Sequence, residues 1–277
     1  MRRAIARWQT WWARLFVLAI PAGVFLSIPS PWDLALIVVP FLLFLVRPPV
    51  SDRAPVELVP PVRGRWVALN SPGSAVPSHG VKAYGQMYAV DLLQPSDAAV
   101  SVGWGLRARR PESYPSFGQP VLAMAPGTVV RVRASQRDQG ARNTWPLVVW
   151  MLTVEGFLRE LAGASRVLGN HVIVQHDDGT CAAYAHLRRG SASVRAGQQV
   201  RAGQQLAQVG NTGNTSEPHL HVQLMDRAHP TAAAGLPMHW PDLVIDPAER
   251  NPRWTTGKPR PTAQPGFPAN GQIFQVK

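Results

Sequence analysis

The sequence predicts an all-β domain, a compact antiparallel sheet sandwich or barrel, with one inserted helix and an N-terminal membrane helical segment in front of it. Short valine-rich runs recur between Gly, Asp and Pro turns, the pattern of strands joined by tight connections. The 27 prolines and 23 glycines of the 277 residues lie mostly in such connections and at the C-terminus, which fits many short elements better than long helices. A long apolar stretch of different character fills residues 1–46.

That stretch opens with Arg2, Arg3, Arg7 and Arg14, runs apolar from Leu15 to Ile28, breaks at Pro29-Ser30-Pro31 and resumes from Trp32 to Val46. A full span needs about 20 apolar residues. Each half falls short, so two cramped spans, or one span with an interfacial piece, remain open. No small-x-small cleavage site follows the first run, so residues 1–46 are read as a retained anchor in contact with membrane lipid. Residues 47–72 are proline-rich and polar, as expected of a tether.

The folded domain is expected over 73–246. Strands are predicted at Val121–Ala123, Gly127–Val132, Asn170–Gln175, Thr180–Leu187 and His219–Leu224. Between the second and third, Leu147, Met151, Val154, Leu158 and Leu161 recur at helical spacing, which predicts an inserted helix at about 144–163 bordering a cleft. Residues 247–277 carry Pro252, Pro259, Pro261, Pro265 and Pro268 without periodicity and are expected to be flexible.

Composition narrows the function. Hydrophobic residues make up 45% of the chain, ample for a packed core. The net charge of +12 favours anionic surroundings: headgroups, wall polymers or nucleic acid. Nucleic acid is set aside because no basic run interleaved with aromatics is present. Cys181 is the single cysteine, so a disulfide and a thiolate zinc cluster are both excluded, and any metal must sit on histidine and carboxylate.

The most informative segment is His219-Leu220-His221-Val222-Gln223-Leu224. Side chains alternate along a strand, so both imidazoles project from one face while Leu220, Val222 and Leu224 take the other. Two histidines on a strand are equally a polar surface pair, so the segment needs support. A small-residue loop, Gly210 to Pro218, leads into it and lets backbone approach a bound molecule closely.

Taken in order, Ala125-Pro126-Gly127-Thr128-Val129, Gly169-Asn170-His171-Val172-Ile173-Val174, Tyr184-Ala185-His186-Leu187, Gly197 to Leu206 and Gly210 to His221 resemble the lysostaphin/LytM-like zinc metalloendopeptidases, over roughly residues 79 to 226. The resemblance implies a β domain of the duplicated hybrid motif type, one Zn2+ per chain and hydrolysis of peptide bonds in bacterial cell-wall peptidoglycan. It assigns His221 to the metal, and His186 and His219 to chemistry. It also asks for a His and an Asp upstream, which His79 and Asp91 supply. The family spaces that pair by only a few residues, whereas here eleven residues, Gly80 to Val90, intervene. Two histidines and one carboxylate would leave one tetrahedral position open, as a hydrolytic site requires.

The remaining histidines receive other roles. His171 and His176 flank an apolar strand and are expected to be hydrogen-bonded structural groups; His229 and His239 fit no ligand position. Two alternatives stand beside the enzyme: a non-catalytic peptidoglycan-binding or regulatory module on the same fold, and a biotinyl- or lipoyl-type carrier. The carrier fails because no lysine lies between Lys82 and Lys258. Arginines flank the apolar segment on both sides, Arg2, Arg3 and Arg7 before it and Arg47, Arg53, Arg63 and Arg65 after it, so charge alone leaves orientation open. A wall hydrolase must meet its substrate, so the domain after Pro49 is expected to be extracytoplasmic.

Overall fold

The computed structural model describes residues 1–96 and 102–277. Helices α1 (Arg2–Arg7), α2 (Gln9–Phe25) and α3 (Trp32–Leu45) precede the first strands, β1 (Val56–Glu57), β2 (Gly64–Leu69) and β3 (Val90–Leu93). Then come β4 (Pro120–Leu122), β5 (Gly127–Arg133), the inserted helices, β6 (His171–His176), β7 (Cys181–Ala185), β8 (Gln199–Val200), β9 (Gln205–Gln208) and β10 (Leu220–Met225). The chain closes with β11 (Gly235–Leu236), β12 (Met238–His239), β13 (Leu243–Arg250) and β14 (Gln272–Val276).

Among the described residues, ten strands form one antiparallel sheet in the order β13-β14-β2-β3-β10-β7-β6-β5-β8, with β11 also paired to β10. Two small ribbons, β1–β12 and β4–β9, stand apart from it. The expected strands therefore form, and the domain is mostly antiparallel β. Alternation explains the packing: Leu220, Val222 and Leu224 of β10 join Val90, Leu92, Tyr184 and Trp240 in the core, leaving His221 and Gln223 to the opposite face. The Tyr184 hydroxyl accepts a bond from the Met124 amide at 2.7 Å, so its burial leaves no polar group orphaned.

The boundaries expected at both ends need correction. The tether at 47–72 contains β2, and Leu58, Val62 and Trp66 are core residues. The tail at 247–277 is not a free extension either: β14 pairs with β2 and β13, and Phe267, Phe274 and Val276 are buried. Prolines hid this strand, but each buried aromatic contributes about 1.5–3 kcal/mol, enough to hold a short apolar run without any helical or long strand period.

The N-terminal segment also departs from expectation. No helix among the described residues is long and apolar enough to cross a membrane. α2 has 17 residues, about 25 Å at 1.5 Å per residue, and α3 only 14. The Pro29-Ser30-Pro31 break turns the chain back, so the apolar stretch becomes a hairpin in which Phe16 meets Phe41 at 5.2 Å between ring centroids.

The insert forms over the expected stretch as α4 (Trp145–Trp150), a π-helical turn at Met151–Glu155 and α5 (Gly156–Ala162), followed by α6 (Ala164–Val167). Its charged groups are pinned inward. Arg142 grips Glu155 through Nε and Nη2, Arg159 reaches the same carboxylate at 2.7 Å, and the Tyr84 hydroxyl donates to Glu160.

Candidate active site

Sheet register builds the centre of the site. β10 pairs with β3 so that His221 stands directly opposite Asp91, and β7 brings Ala185 to the other side of His221. Asp91 therefore reaches its place by strand pairing, independently of the length of the loop before it. His79 arrives through that loop: the Ser78 amide bonds the Met87 carbonyl at 3.0 Å, and a 3₁₀ turn at Ala83–Gly85 folds the intervening residues back.

Around Asp91, the His79 Nε2 lies 3.3 and 3.2 Å from the two carboxylate oxygens, the His221 Nδ1 lies 2.9 Å from one of them, and Asn70 donates to the other at 2.7 Å. One donor atom from each of His79, Asp91 and His221 lies within 4.8 Å of the others, a separation that a single cation can bridge. Burial works against a charge on Asp91, yet the neighbouring imidazoles outweigh it and hold the carboxyl well below the usual range. Burial pushes His79 down against the pull of Asp91, whereas His221 is raised because its bond to Asp91 and that carboxylate's charge overcome the burial penalty.

Ring orientation follows from hydrogen bonds. The Gln223 side-chain amide donates to the Tyr84 carbonyl at 2.7 Å, which turns its Oε1 toward His221 Nε2 at 2.9 Å. Nε2–H of His221 is thereby the donor, and in the neutral ring Nδ1 keeps its lone pair for a cation. His186 and His219 are held the other way round. His186 Nδ1–H donates to the Thr212 carbonyl at 2.8 Å, and His219 Nδ1–H to the Glu217 carbonyl at 2.7 Å. Each neutral ring thus carries its free lone pair on Nε2.

The His186 and His219 rings sit 4.8 Å apart, and His219 Nε2 is 3.6 Å from Asp91. Burial, reinforced by His219 and His221, holds His186 well below the ordinary imidazole value. Its backbone lies at φ 60°, a left-handed conformation uncommon for histidine, fixed by amide bonds on both sides of the turn. Two glycines make the loop contact possible: a Cβ at Gly169 would lie 2.3 Å from the Thr212 oxygen, and one at Gly213 2.4 Å from the Gly169 nitrogen.

All five sequence-derived residues, His79, Asp91, His186, His219 and His221, line one cavity of about 410 Å³. Met151, Leu152 and Glu160 of the insert and Trp254 of the C-terminal segment form other parts of its wall. His171 bonds the Gly169 carbonyl and His176 the Thr180 hydroxyl, away from this cavity. Cys181 is a packed thiol, pushed up to about 11 by burial.

Sequence reasoning missed four supports. Gln223 could have been found, since it follows His221 by two residues on the same strand face. Asn70 and Ser78 carry no motif. Arg253, whose guanidinium holds Glu217 at 3.2 and 2.9 Å, lies in the stretch expected to be flexible.

Residues 153–233 match the model of Peptidase family M23. That stretch of the chain is similar to an M23 peptidase domain. The match contains His186, His219 and His221, while His79 and Asp91 lie upstream of it. The chain is 44% identical over 90 residues to the cell division protein DipM of Caulobacter vibrioides, covering 32% of this chain and 14% of that protein. It is 40% identical over 72 residues to the peptidoglycan DD-endopeptidase ShyA of Vibrio cholerae, covering 25% and 16% respectively. It is 39% identical over 72 residues to the murein hydrolase activator NlpD of Escherichia coli, covering 26% and 18%. The matched part thus spans less than a fifth of each of these relatives. Among solved structures, the catalytic domain of the antimicrobial peptidase lysostaphin from Staphylococcus simulans aligns at 21% identity and a TM-score of 0.32, over 59% of this chain and 84% of that one.

Proposed function

We propose that this chain is a zinc-dependent endopeptidase that hydrolyses peptide bonds in bacterial cell-wall peptidoglycan, with its domain on the extracytoplasmic side of the membrane. One observation carries the reading: a His79–Asp91–His221 donor set lies in the same cavity as two further imidazoles whose Nδ1 atoms are locked onto backbone carbonyls.

The donor set fits zinc, which favours nitrogen and oxygen ligands and leaves a hydrolytic site with one open position when three protein groups bind it. His79, Asp91 and His221 would hold the ion, and when bound it would supply Lewis acidity toward a peptide carbonyl and acidify water. The chain's own residues then divide the work. A carboxylate that stays ionised keeps the donor set charged. Gln223 fixes the ring of His221, and Asn70 fixes the carboxylate it bonds. Of the Nε2 atoms of His186 and His219, one would take the proton from the attacking water, and the other, in a ring that also carries a proton on Nε2, would donate to the oxygen that gains negative charge. His186, neutral through burial, is suited to the first of these roles.

A second reading, a regulatory module without catalysis, draws support from the relative named as a murein hydrolase activator. Incubating the purified full chain, loaded with zinc, with purified peptidoglycan and identifying soluble fragments by mass separates the two. Peptide-bond cleavage that vanishes in His219→Ala supports the enzyme. Stoichiometric zinc with no fragments from any peptidoglycan type supports the module.

A further inference from the structure

We propose that the insert and the N-terminal hairpin together form one lipid-facing surface, seated in an anionic phospholipid layer, which holds the mouth of the active-site cavity at the membrane boundary. The insert is inverted relative to a helix facing water, which turns its apolar stripe inward and its charges out. Its only charged residues, Glu155, Arg159 and Glu160, are engaged with Arg142, Gln139 and Tyr84 of the domain. Its large apolar side chains face outward, with Val149, Trp150, Leu152, Phe157 and Leu158 each 51–67% exposed. The exposed Thr153 hydroxyl donates back to the Val149 carbonyl at 2.7 Å, so it is satisfied within its own helix.

The same character continues across the hairpin. α2 packs on α5, Arg14 Nε donates to the Leu161 carbonyl at 2.7 Å, and α2 exposes Leu18, Val24 and Phe25 while α3 exposes Leu34, Val39 and Leu42. The hairpin helices are too short to span, so a seat within one leaflet is what their lengths allow. Charge identifies the occupant as anionic. Arg2 and Arg7 are exposed beside the hairpin, and a cavity of about 660 Å³ sets Arg137 and Arg166 next to Trp150 and Leu158, where a phosphate headgroup meets its acyl chains. Met151 and Leu152 belong both to this surface's helix and to the wall of the active-site cavity, which ties the two together. The inference stands whether or not the site hydrolyses peptides.

The test uses the full chain with an environment-sensitive fluorophore on Phe157→Cys; Cys181 is fully buried and stays unlabelled. On vesicles of phosphatidylcholine and phosphatidylglycerol the label should shift to the blue and be quenched by lipids brominated in their acyl chains. Flotation of Leu152→Glu/Phe157→Glu should show a partition coefficient lowered roughly tenfold or more, from the apolar area no longer buried. Its thermal melt should match that of the parent. Binding to phosphatidylcholine alone should be several-fold weaker. A label that stays water-like while the chain floats would overturn the proposal. Unchanged partition of the double variant, or a lipid-free dimer that buries the label, would do the same.

Discussion

The two halves of the site reach the same cavity by different routes. His186, His219 and His221 come from one stretch of strand and loop inside the M23 match, whereas His79 and Asp91 lie upstream of it and are separated by eleven residues. The downstream half is specified by local pattern: alternation on β10, and a glycine-bearing loop whose carbonyls orient two rings. The upstream half is specified by tertiary pairing, since the register of β3 against β10 sets Asp91 opposite His221 whatever the loop does. A motif therefore tolerates a long insertion when sheet register, rather than sequence spacing, fixes the critical carboxylate.

The largest effect is expected at the point where the halves meet. Asp91→Ala removes the carboxylate shared by His79, His221 and Asn70, and should abolish both zinc binding and hydrolysis. Metal analysis alongside fragment release would show it; full zinc content in this variant would detach the upstream half from the site. Next come the two rings of the downstream half. His186→Ala and His219→Ala should each lower hydrolysis by about a hundredfold or more while zinc stays near one per chain. Zinc loss in either would make that ring a ligand and erase the division of roles.

How much of this was legible in the chain depends on which physical signal carried it. Strand alternation and turn residues exposed β5, β6, β7 and β10, because burial of one face imposes a period of two. β14 and β2 were hidden: their stretches are short and proline-flanked, and what holds them is pairing with each other from opposite ends of the domain, Val67 against Ile273 through Gly64 against Val276, with the Ser71 amide bonded to the Asn270 side chain beside them. His186 and His219 were readable because the motif places them. Their tautomers were not, since these depend on the carbonyls of Thr212 and Glu217.

Gln223 sits between the halves, touching His221 on one side and the Tyr84 carbonyl of the upstream loop on the other. Gln223→Ala should weaken zinc binding by about tenfold, at the low end for a lost partner of a ligating histidine, and leave the fold intact. An unchanged zinc affinity, read by competition with a chromophoric chelator, would mean that Asp91 alone orients the ring.

His171 provides a control outside both halves. Burial lowers it from 6.5 to about 4, so the folded chain resists a proton that the unfolded chain accepts. Its contribution to stability is complete above pH 6.5 and is lost progressively as pH falls toward 4. Denaturant midpoints should decline through that window, and His171→Gln should flatten the decline without changing zinc content.

The central claim is that a distant loop completes a three-residue metal site, and zinc binding to His79→Ala tests it most directly. The wild-type chain should hold close to one zinc, with His79→Ala losing most of that affinity while its melt without added metal stays close to the parent's. A His79→Ala chain that retains wild-type zinc affinity would contradict the account and leave the upstream half of the site to Asp91 alone.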